Sequence, residues 1–443
     1  MLLHIGLDDT DSPEGGCTTY VAALLAESLL AMGAEFTDYP TLLRLNPNTP
    51  WKTRGNASVC LRLNLDEARQ GEAKKAALEL VDRYGEFWCD NTNPGVVFHV
   101  GEVPQEAKEF SDRTVKQIVS LSEAEAIIEG YGMAAVGWKN RRGIIGALAA
   151  VGGTLEGDHT YEVLTYRTPE NWGQERRVDA ESVREMDRAL GDITFNNVDE
   201  GGRPLITPHG PDPVLYGVRG ETAGAVYRAF TMVKALEPVE RWMIYRSNQG
   251  TDAHFGAPVK VRELRPFNPA VVEARVVNIP ETLQGGHVIF RVSDGSEEGD
   301  CAAYEPTGGF RHIAWALIPG DLLRIYAGVR ETEGGVTLNI EKLEVLSLAD
   351  DVEYMNPRCP MCGGSMESMG QGQGYRCKKC GHRDRGLVKV PFSKPRDLKP
   401  GVYLPDRDAH RHLTKPLERY GREKKHTPSP MIEGWIGFPA RSP

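Results

Sequence analysis

Four cysteines near the C-terminal end constrain the fold more tightly than any other feature of the sequence. Cys359 and Cys362 form one CxxC pair, and Cys377 and Cys380 form a second pair after fourteen intervening residues. Two such pairs around a short hairpin are typical of a zinc ribbon, in which four thiolates close a tetrahedral site and leave no position for catalysis. We therefore predict a structural Zn²⁺ site in a ribbon over residues 355–390; a redox function of these thiols is the alternative.

Charge is distributed unevenly along the chain, whose formal net charge is -10. Residues 376–426 contain 16 Lys and Arg but only 6 Asp and Glu, so the rest of the chain is strongly acidic. A basic segment on an acidic protein indicates an anionic partner, and a solubilising tail is the simpler alternative. No run of about 18 apolar residues occurs, so we expect no membrane span. The other four cysteines are scattered, which favours a reducing compartment and a cytoplasmic protein.

The order of the predicted elements indicates an α+β protein of several domains. Over the first hundred residues the order βαββαβ is that of a ferredoxin-like α/β unit. Further helices and strands continue it, so we group residues 1–265 as a two-part α/β catalytic body. Residues 266–350 contain about five short strands with glycine turns, which predicts an OB-fold barrel that binds nucleic acid. The zinc ribbon follows, and residues 391–443 form a basic C-terminal extension.

Three aspartates crowd the carboxyl end of the first predicted strand, in the segment GLDDTDSPEGGCTTY. Like charges repel, so the close spacing of Asp8, Asp9 and Asp11 is unfavourable unless another group compensates for it. Carboxylates bind Mg²⁺, and the start of the helix that follows, at Thr18, offers free N–H groups to a phosphate. We therefore predict a magnesium–nucleotide site here. The alternative is a turn in which an aspartate hydrogen-bonds its own backbone and Thr18 caps the helix.

Phosphoryl transfer also needs positive charge near the phosphate that moves. Two basic loops are candidates for this, and a polar loop after an apolar strand is a candidate for binding substrate. Solvent exposure or turn formation would explain each loop equally well. The residues concerned are Lys52 and Arg54 in the first basic loop, Lys139, Arg141 and Arg142 in the second, and Asn248, Gln249 and Asp252 in the polar loop.

The segments GLDDTDSPEGGCTTY, WKTRGNA, RRGIIGALAAVG and YRSNQGTDAH, followed by a barrel and a late zinc ribbon, occur in a characteristic order. In this the chain resembles the archaeal agmatinylcytidine synthetases of isoleucine tRNA, from Met1 to about Lys399. The resemblance implies a kinase-like domain, a ferredoxin-like domain, an OB fold and a zinc ribbon. The basic residues beyond Pro400 lie outside the matched part; they could grip tRNA phosphates or be disordered.

The resemblance also implies an activity. Such enzymes use ATP to attach agmatine to C2 of the wobble cytidine in a CAU anticodon, so that the tRNA reads AUA rather than AUG. The C2 oxygen is phosphorylated and then displaced by the agmatine amine, and ATP is converted to AMP and two phosphates. By the same resemblance, Asp8, Asp9 and Asp11 serve Mg²⁺ and ATP, and Thr18 is the threonine that is autophosphorylated.

Two other classes of protein remain open from the residues alone. One is a different ATP- and Mg²⁺-dependent RNA-modifying enzyme or small-molecule kinase built on the same body. The other is a non-enzymatic nucleic-acid-binding protein in which the barrel and the ribbon are the active parts, but this class leaves the three aspartates unexplained.

Overall fold

The N-terminal part of the chain forms a mixed sheet in which successive segments of the sequence lie side by side. The structure, a computed structural model, describes residues 1–333, 335–425 and 430–438. The strands of this body are β1 (Leu2–Asp8), β2 (Glu35–Phe36), β3 (Thr41–Arg44), β4 (Ala57–Asn64), β5 (Gly95–Val100), β6 (Ala134–Gly137), β7 (Thr160–Arg167), β8 (Thr194–Phe195), β9 (Val214–Gly220) and β10 (Val239–Ser247). The helices are α1 (Thr18–Ala31), α2 (Gln70–Tyr84), α3 (Gln105–Lys116), α4 (Leu121–Gly130), α5 (Gly143–Gly152), α6 (Ala180–Leu190) and α7 (Ala223–Met232).

Two halves of this sheet meet at a short parallel pair. The strand order is β6-β5-β1-β4-β3-β10-β7-β9-β8, and β2 pairs with β4. β3 and β10 run parallel, with Thr41 opposite Arg246 and Leu42 opposite Ser247, whereas the other pairs along this order are antiparallel. The junction therefore joins two chain segments that are far apart in sequence.

Alternating side chains along the strands fill separate cores on the two faces of the sheet. On one face α1 and α2 pack on β1 and β4, and α1 also reaches Tyr166 and Tyr245 in the second half. On the other face α3, α4 and α5 cover the first half, and α6 and α7 cover the second. Helix α1 thus contributes to fixing the two halves relative to each other.

Residues 269–347 form a barrel. Its strands are β11 (Pro269–Val276), β12 (Glu281–Thr282), β13 (Val288–Ser293), β14 (Glu298–Ala303), β15 (Leu322–Thr332) and β16 (Gly335–Ser347), and α8 (Phe310–Trp315) lies between β14 and β15. Pairing of β11 with both β15 and β13, and of β14 with β16 in parallel, closes the strands into a ring. Apolar side chains from these strands and from α8 fill its interior.

The ribbon and the C-terminal segment contribute short strands. These are β17 (Val352–Met355), β18 (Met366–Ser368), β19 (Tyr375–Cys377), β20 (Arg383–Asp384), β21 (Val390–Ser393), β22 (Gly401–Tyr403) and β23 (Ile436–Gly437). β17 pairs with β21, and β18 to β20 form the small sheet of the ribbon. Within the described ranges no helix is long and apolar enough to cross a membrane.

The C-terminal segment differs from the expected basic arm. β22 adds to the barrel beside β16, and β23 adds to the body beside β10. Between them the buried Arg419 forms ion pairs with Asp158 and Glu221. Much of the positive charge counted in the sequence is therefore neutralised inside the molecule, because its acidic partners lie on distant parts of the chain.

The longest strand of the body that the sequence analysis did not predict is β9. β9 has glycines at Gly217 and Gly220 and follows a segment rich in proline. These residues obscure the alternation of apolar and polar side chains by which a strand is predicted. It nevertheless lies between β7 and β8, with Val218 and Leu215 fully buried. Tertiary pairing, rather than local preference, makes this segment a strand.

Candidate active site

A cavity of about 490 Å³ lies where the carboxyl end of β1 faces the second half of the sheet. Its walls come from both halves of the body and from the C-terminal segment. Of the residues that the sequence singled out, those lining it are Asp8, Asp9, Asp11, Thr18, Lys52, Arg54 and Arg142. Those outside its lining are Lys139, Arg141, Asn248, Gln249 and Asp252.

Asp8 and Asp9 form the acidic end of the cavity. Burial, together with the charges of Asp9 and Asp11, raises the pKa of Asp8 well above its usual range. Burial likewise raises the pKa of Asp9 to about 6. The backbone N–H of Asn93 donates to Oδ2 of Asp9 at 2.9 Å, and this hydrogen bond acts in the opposite direction and lowers the pKa. Asp9 also has a left-handed backbone, with φ of 59°. The two carboxylates repel each other when both are ionised, and a bound cation would neutralise their negative charge.

Helix α5 approaches Asp8 so closely that only glycine fits at one position. A Cβ on Gly146 would lie 1.9 Å from Oδ2 of Asp8. On the same face of β1, a Cβ on Gly6 would lie 2.1 Å from the carbonyl oxygen of Ala147. Glycine at these positions lets α5 pack directly on β1, and this contact fixes the position of the Asp8 carboxylate.

Substitution of Gly146 by alanine is therefore expected to displace Asp8 and to reduce turnover by at least about tenfold, since small misplacements of reacting groups are costly. The matched control is Gly130→Ala in α4, where an added Cβ meets nothing within 4 Å. There the better helix former should leave activity unchanged and raise stability by up to about 1 kcal/mol. Thermal unfolding and steady-state assays of both variants test this, and equal activity of the two would contradict it.

Asp11 forms an ion pair with Arg54. Nε of Arg54 donates to Asp11 at 2.7 Å, and its two Nη atoms contact Asp212 at 3.1 Å and the carbonyl oxygen of Gly16 at 2.6 Å. The hydroxyl of Thr53 donates to Asp11 as well. In the described part of the chain, the one place where three or more such ligand atoms converge is the cysteine ribbon. Asp11 is thus paired with Arg54 in this structure, and the assignment of Asp8, Asp9 and Asp11 to Mg²⁺ stays a prediction.

Helix α1 begins at the cavity wall with Thr18. Cys17 is the N-cap and its side chain makes no capping hydrogen bond, so the alternative in which Thr18 caps the helix is wrong. The Thr18 hydroxyl lies 3.0 Å from that of Thr10, and the hydroxyl of Tyr245 donates to the carbonyl oxygen of Thr19. The free N–H groups in the first turn of this helix point to an anion site.

The second basic loop divides between the cavity and the surface. Arg142 lies 3.8 Å from Asp9 and donates to the carbonyl oxygens of Trp51 and Asn91. Lys139 donates to the carbonyl oxygen of Cys89, and Arg141 pairs with Glu125 away from the cavity. Of the three, Arg142 alone therefore lines the cavity.

The polar loop after β10 supports the cavity from behind. Asn248 exchanges hydrogen bonds with the backbone of Arg44, and Gln249 contacts the side chains of Arg44 and Glu162. Asp252 accepts from the backbone of Lys415 and pairs with Lys342 of the barrel. These residues hold wall residues and neighbouring segments in place.

Several wall residues carry no signal in the sequence. Arg44 and Glu162 lie within strands, where only the pairing register decides which face a side chain takes. Arg219 pairs with Glu162 at 3.1 Å and donates to Nδ1 of His412 at 2.9 Å. His412 belongs to the C-terminal segment, and burial followed by the charges of Arg44, Arg219 and Lys52 lowers its pKa well below its usual range.

The four ribbon cysteines converge as predicted. Their Sγ atoms all lie within 4.8 Å of one another, with Cys359 3.6 Å from Cys380 and Cys362 3.5 Å from Cys377. Four thiolates at this spacing fit a closed tetrahedral Zn²⁺ site. The ribbon has only a few buried apolar side chains, so zinc would supply most of its stability.

Removal of zinc is expected to unfold the ribbon and leave the body folded. In comparable peptides zinc binding stabilises by roughly 10–16 kcal/mol, far more than this small core supplies. The purified chain should contain one equivalent of zinc, and Cys362→Ser should lose it and lose hydrogen-exchange protection in residues 356–385. Protection should persist in β1 and β4. A metal-free ribbon with full protection would contradict this.

A cavity with an acidic end in a mixed α/β body, joined to a barrel and a zinc ribbon, has counterparts among known proteins. Models of the TiaS TCKD domain, the TiaS FLD domain and the TiaS C-terminal zinc ribbon domain match residues 4–140, 141–254 and 356–398. The isoleucine-tRNA 2-agmatinylcytidine synthetase TiaS of Pyrococcus horikoshii is 43% identical over 94% of this chain and 97% of its own length. The chain therefore belongs to the TiaS family.

Solved structures of relatives agree over nearly the whole chain. A complex of TiaS with isoleucine tRNA and ATP has a TM-score of 0.85 and 38% identity, and a complex with isoleucine tRNA, AMPCPP and agmatine has 0.82 and 36%. Each covers 95% of this chain and 97% of the solved one. A coverage of 95% is more of the chain than residues 1–399 represent, so the likeness extends into the C-terminal segment. The sequence motifs had predicted a likeness only as far as about Lys399.

Proposed function

We propose that this chain attaches agmatine to C2 of the wobble cytidine of a CAU-anticodon isoleucine tRNA at the expense of ATP. The observation that carries this is the cavity, which combines two buried carboxylates, the first residues of α1 in its lining and several cations in a member of the TiaS family. The relatives solved with isoleucine tRNA, ATP and agmatine support it. Such a protein belongs in the cytoplasm, where its tRNA is used.

ATP would bind with its phosphates at the acidic end of the cavity. The donor set fits Mg²⁺, which is commonly held by one or two carboxylates together with substrate phosphates. Asp8 and Asp9 would hold it, and Asp11 would act through Arg54. When bound, the ion neutralises charge on the phosphates during transfer. Arg142 and the first N–H groups of α1 would orient the phosphates, and Thr18, which lines the cavity, would be the residue that is autophosphorylated.

The chemistry replaces an oxygen by a nitrogen. The C2 oxo group of cytidine is a poor leaving group; transfer of a phosphoryl group to this oxygen makes it a good one. The agmatine amine then attacks C2, the C2–O bond breaks, and the phosphorylated oxygen leaves as phosphate while the amine loses its proton. ATP is consumed to AMP and two phosphates: one leaves with the C2 oxygen, and the other phosphoryl group is transferred to water. The product tRNA reads AUA instead of AUG.

The modules divide this task. The body (residues 1–265) comprises a kinase-like and a ferredoxin-like part and carries the reaction. The ring of strands in residues 266–350 is an OB-fold barrel, and with the ribbon (residues 355–390) it holds the tRNA, largely through phosphates and stem shape. The anticodon base is splayed out into the cavity, because its edge is inaccessible while stacked. Of residues 391–443, the described ones join the barrel to the body, since β22 pairs with β16 and β23 pairs with β10.

The test is incorporation of radiolabelled agmatine into isoleucine tRNA with ATP and Mg²⁺. Label should enter the CAU tRNA and stay out of the same tRNA with uridine at the wobble position. Labelled lysine or spermidine entering instead would favour a different RNA-modifying enzyme. Zinc-loaded protein that binds tRNA but neither consumes ATP nor transfers label would overturn the proposal in favour of a nucleic-acid-binding protein.

A further inference from the structure

A row of cations begins inside the cavity and ends on the barrel. Arg44 and Arg219 lie in the cavity wall, and the exposed Lys52 also lines the cavity. Arg411 belongs to the C-terminal segment, and Arg330 lies on β15 of the barrel. We call these five residues the cationic row.

Neighbouring members of the row are close enough to affect one another. Partial removal from water, followed by the charges of Arg411 and Arg330, lowers the pKa of Lys52 to about 8. Arg44 and Arg219 likewise oppose each other's charge. The charges of Lys52 and of the two cavity arginines all act on His412, to which Arg219 donates a hydrogen bond at 2.9 Å. The charges of the five residues therefore act on one another or on His412, from the cavity to β15.

The positive charge of the row is only partly neutralised. Arg219 pairs with Glu162, and Arg411 pairs with Glu341 at 3.0 Å. Arg44, Lys52 and Arg330 form no ion pair with any residue that the structure describes. Like charges gathered at an open surface of a protein with a net charge of -10 indicate that the row binds an anion.

His412 adds a neutral donor to this row. Because Arg219 donates to Nδ1 of His412, the imidazole carries its proton on Nε2. The same Nε2 lies 3.2 Å from the position that a Cβ on Gly55 would take, and both residues line the cavity. Glycine at position 55 thus keeps the approach to this donor open.

We propose that the cationic row binds consecutive phosphates of the single RNA strand that passes from the barrel into the cavity. This inference rests on the proposed function and assigns to RNA a lysine, Lys52, that the sequence motifs associated with ATP. A triphosphate would occupy the acidic end with its cation, whereas the row leads out of the cavity and crosses three parts of the chain. Extended positive charge of this kind fits a polymer of phosphates.

The experiment compares tRNA binding at several salt concentrations for the full-length, zinc-loaded protein, Lys52→Gln, Arg330→Gln and the double variant. Each phosphate contact contributes about 0.7 to the slope of log K against log salt for single strands. The double variant should lose about 1.4 of this slope and bind tRNA at least tenfold more weakly at low salt. Its KM for ATP should stay at the wild-type value. The matched control is Lys75→Gln on α2, an exposed lysine far from the row, which should change neither quantity.

Wild-type slope and affinity in the double variant would overturn the inference. A raised KM for ATP with unchanged tRNA binding would also overturn it and would assign the row to the nucleotide. Failure of the proposed function is distinguishable, because wild-type protein would then transfer no agmatine whatever the variants do.

Discussion

Replacement of Asp8 by asparagine is expected to abolish agmatine transfer, with a loss of about 10³-fold or more, the scale found when a preorganised electrostatic group is removed from an active site. Asparagine keeps the shape that fits against Gly146 but removes a negative charge from the acidic end of the cavity. Consumption of ATP should fall with transfer, because both depend on the same phosphate geometry. Rapid-quench assays with labelled ATP and labelled agmatine measure the two losses side by side.

Stability should move in the opposite direction in Asp8→Asn. The pKa of Asp8 is higher in the folded chain than in the unfolded chain. Ionisation of Asp8 therefore destabilises the fold, and this loss of stability grows as the pH rises above the pKa that Asp8 has in the unfolded chain. At neutral pH without added Mg²⁺, the variant should therefore unfold at the same or a higher temperature than wild type. Asp350→Asn, on an exposed residue, should change neither activity nor stability. A destabilised variant would show instead that Asp8 is needed to maintain the fold.

Replacement of Arg419 by alanine is expected to cost about 3 kcal/mol of unfolding free energy, because the largely buried Asp158 and Glu221 lose their buried arginine and keep only lysine partners. The side chain of Arg419 is 1% exposed and contacts Asp158 at 2.9 Å, Glu221 at 2.6 Å and the carbonyl oxygen of Gly250. No surface pair in this chain should approach this effect. Denaturant unfolding of the full chain measures it.

Activity should fall with Arg419→Ala even at temperatures where the variant stays folded. The C-terminal segment lies against the cavity through His412 and is held to the body by Arg419, so its release opens the cavity wall. Lys425→Ala, on an exposed lysine a few residues further on, is the control and should behave as wild type. Full activity of Arg419→Ala would mean that the segment keeps its place by other contacts.

The sequence predicted local features well where one short segment carries the whole signal. The strand ending at Asp8, the helix starting at Thr18 and the four-cysteine ribbon are all found, because periodicity, capping position and ligand spacing are local properties. The cavity itself could be predicted only in part. Glu162 lies in the strand β7, and no motif in the neighbouring sequence predicts its ion pair with Arg219.

Pairing over long distances explains the other differences. Arg54 was assigned to phosphate binding on its charge, but Asp212, far along the chain, engages it together with Asp11. Cations beyond residue 400 suggested a free basic arm, but Asp158 and Glu221 bind Arg419 inside the fold. A count of charges cannot reveal which of them meet, because the choice of partner is made by the tertiary structure.

The contribution of His410 and His412 to the cavity wall has a consequence for protein synthesis. Both residues leave the ribosome after the body, the barrel and the ribbon, yet the cavity is bounded on one side by them. A nascent chain that has folded its first 400 residues still has a gap in that wall. Products of premature termination before His410 would therefore carry the body, the barrel and the ribbon without a complete cavity wall, and we expect them not to modify tRNA.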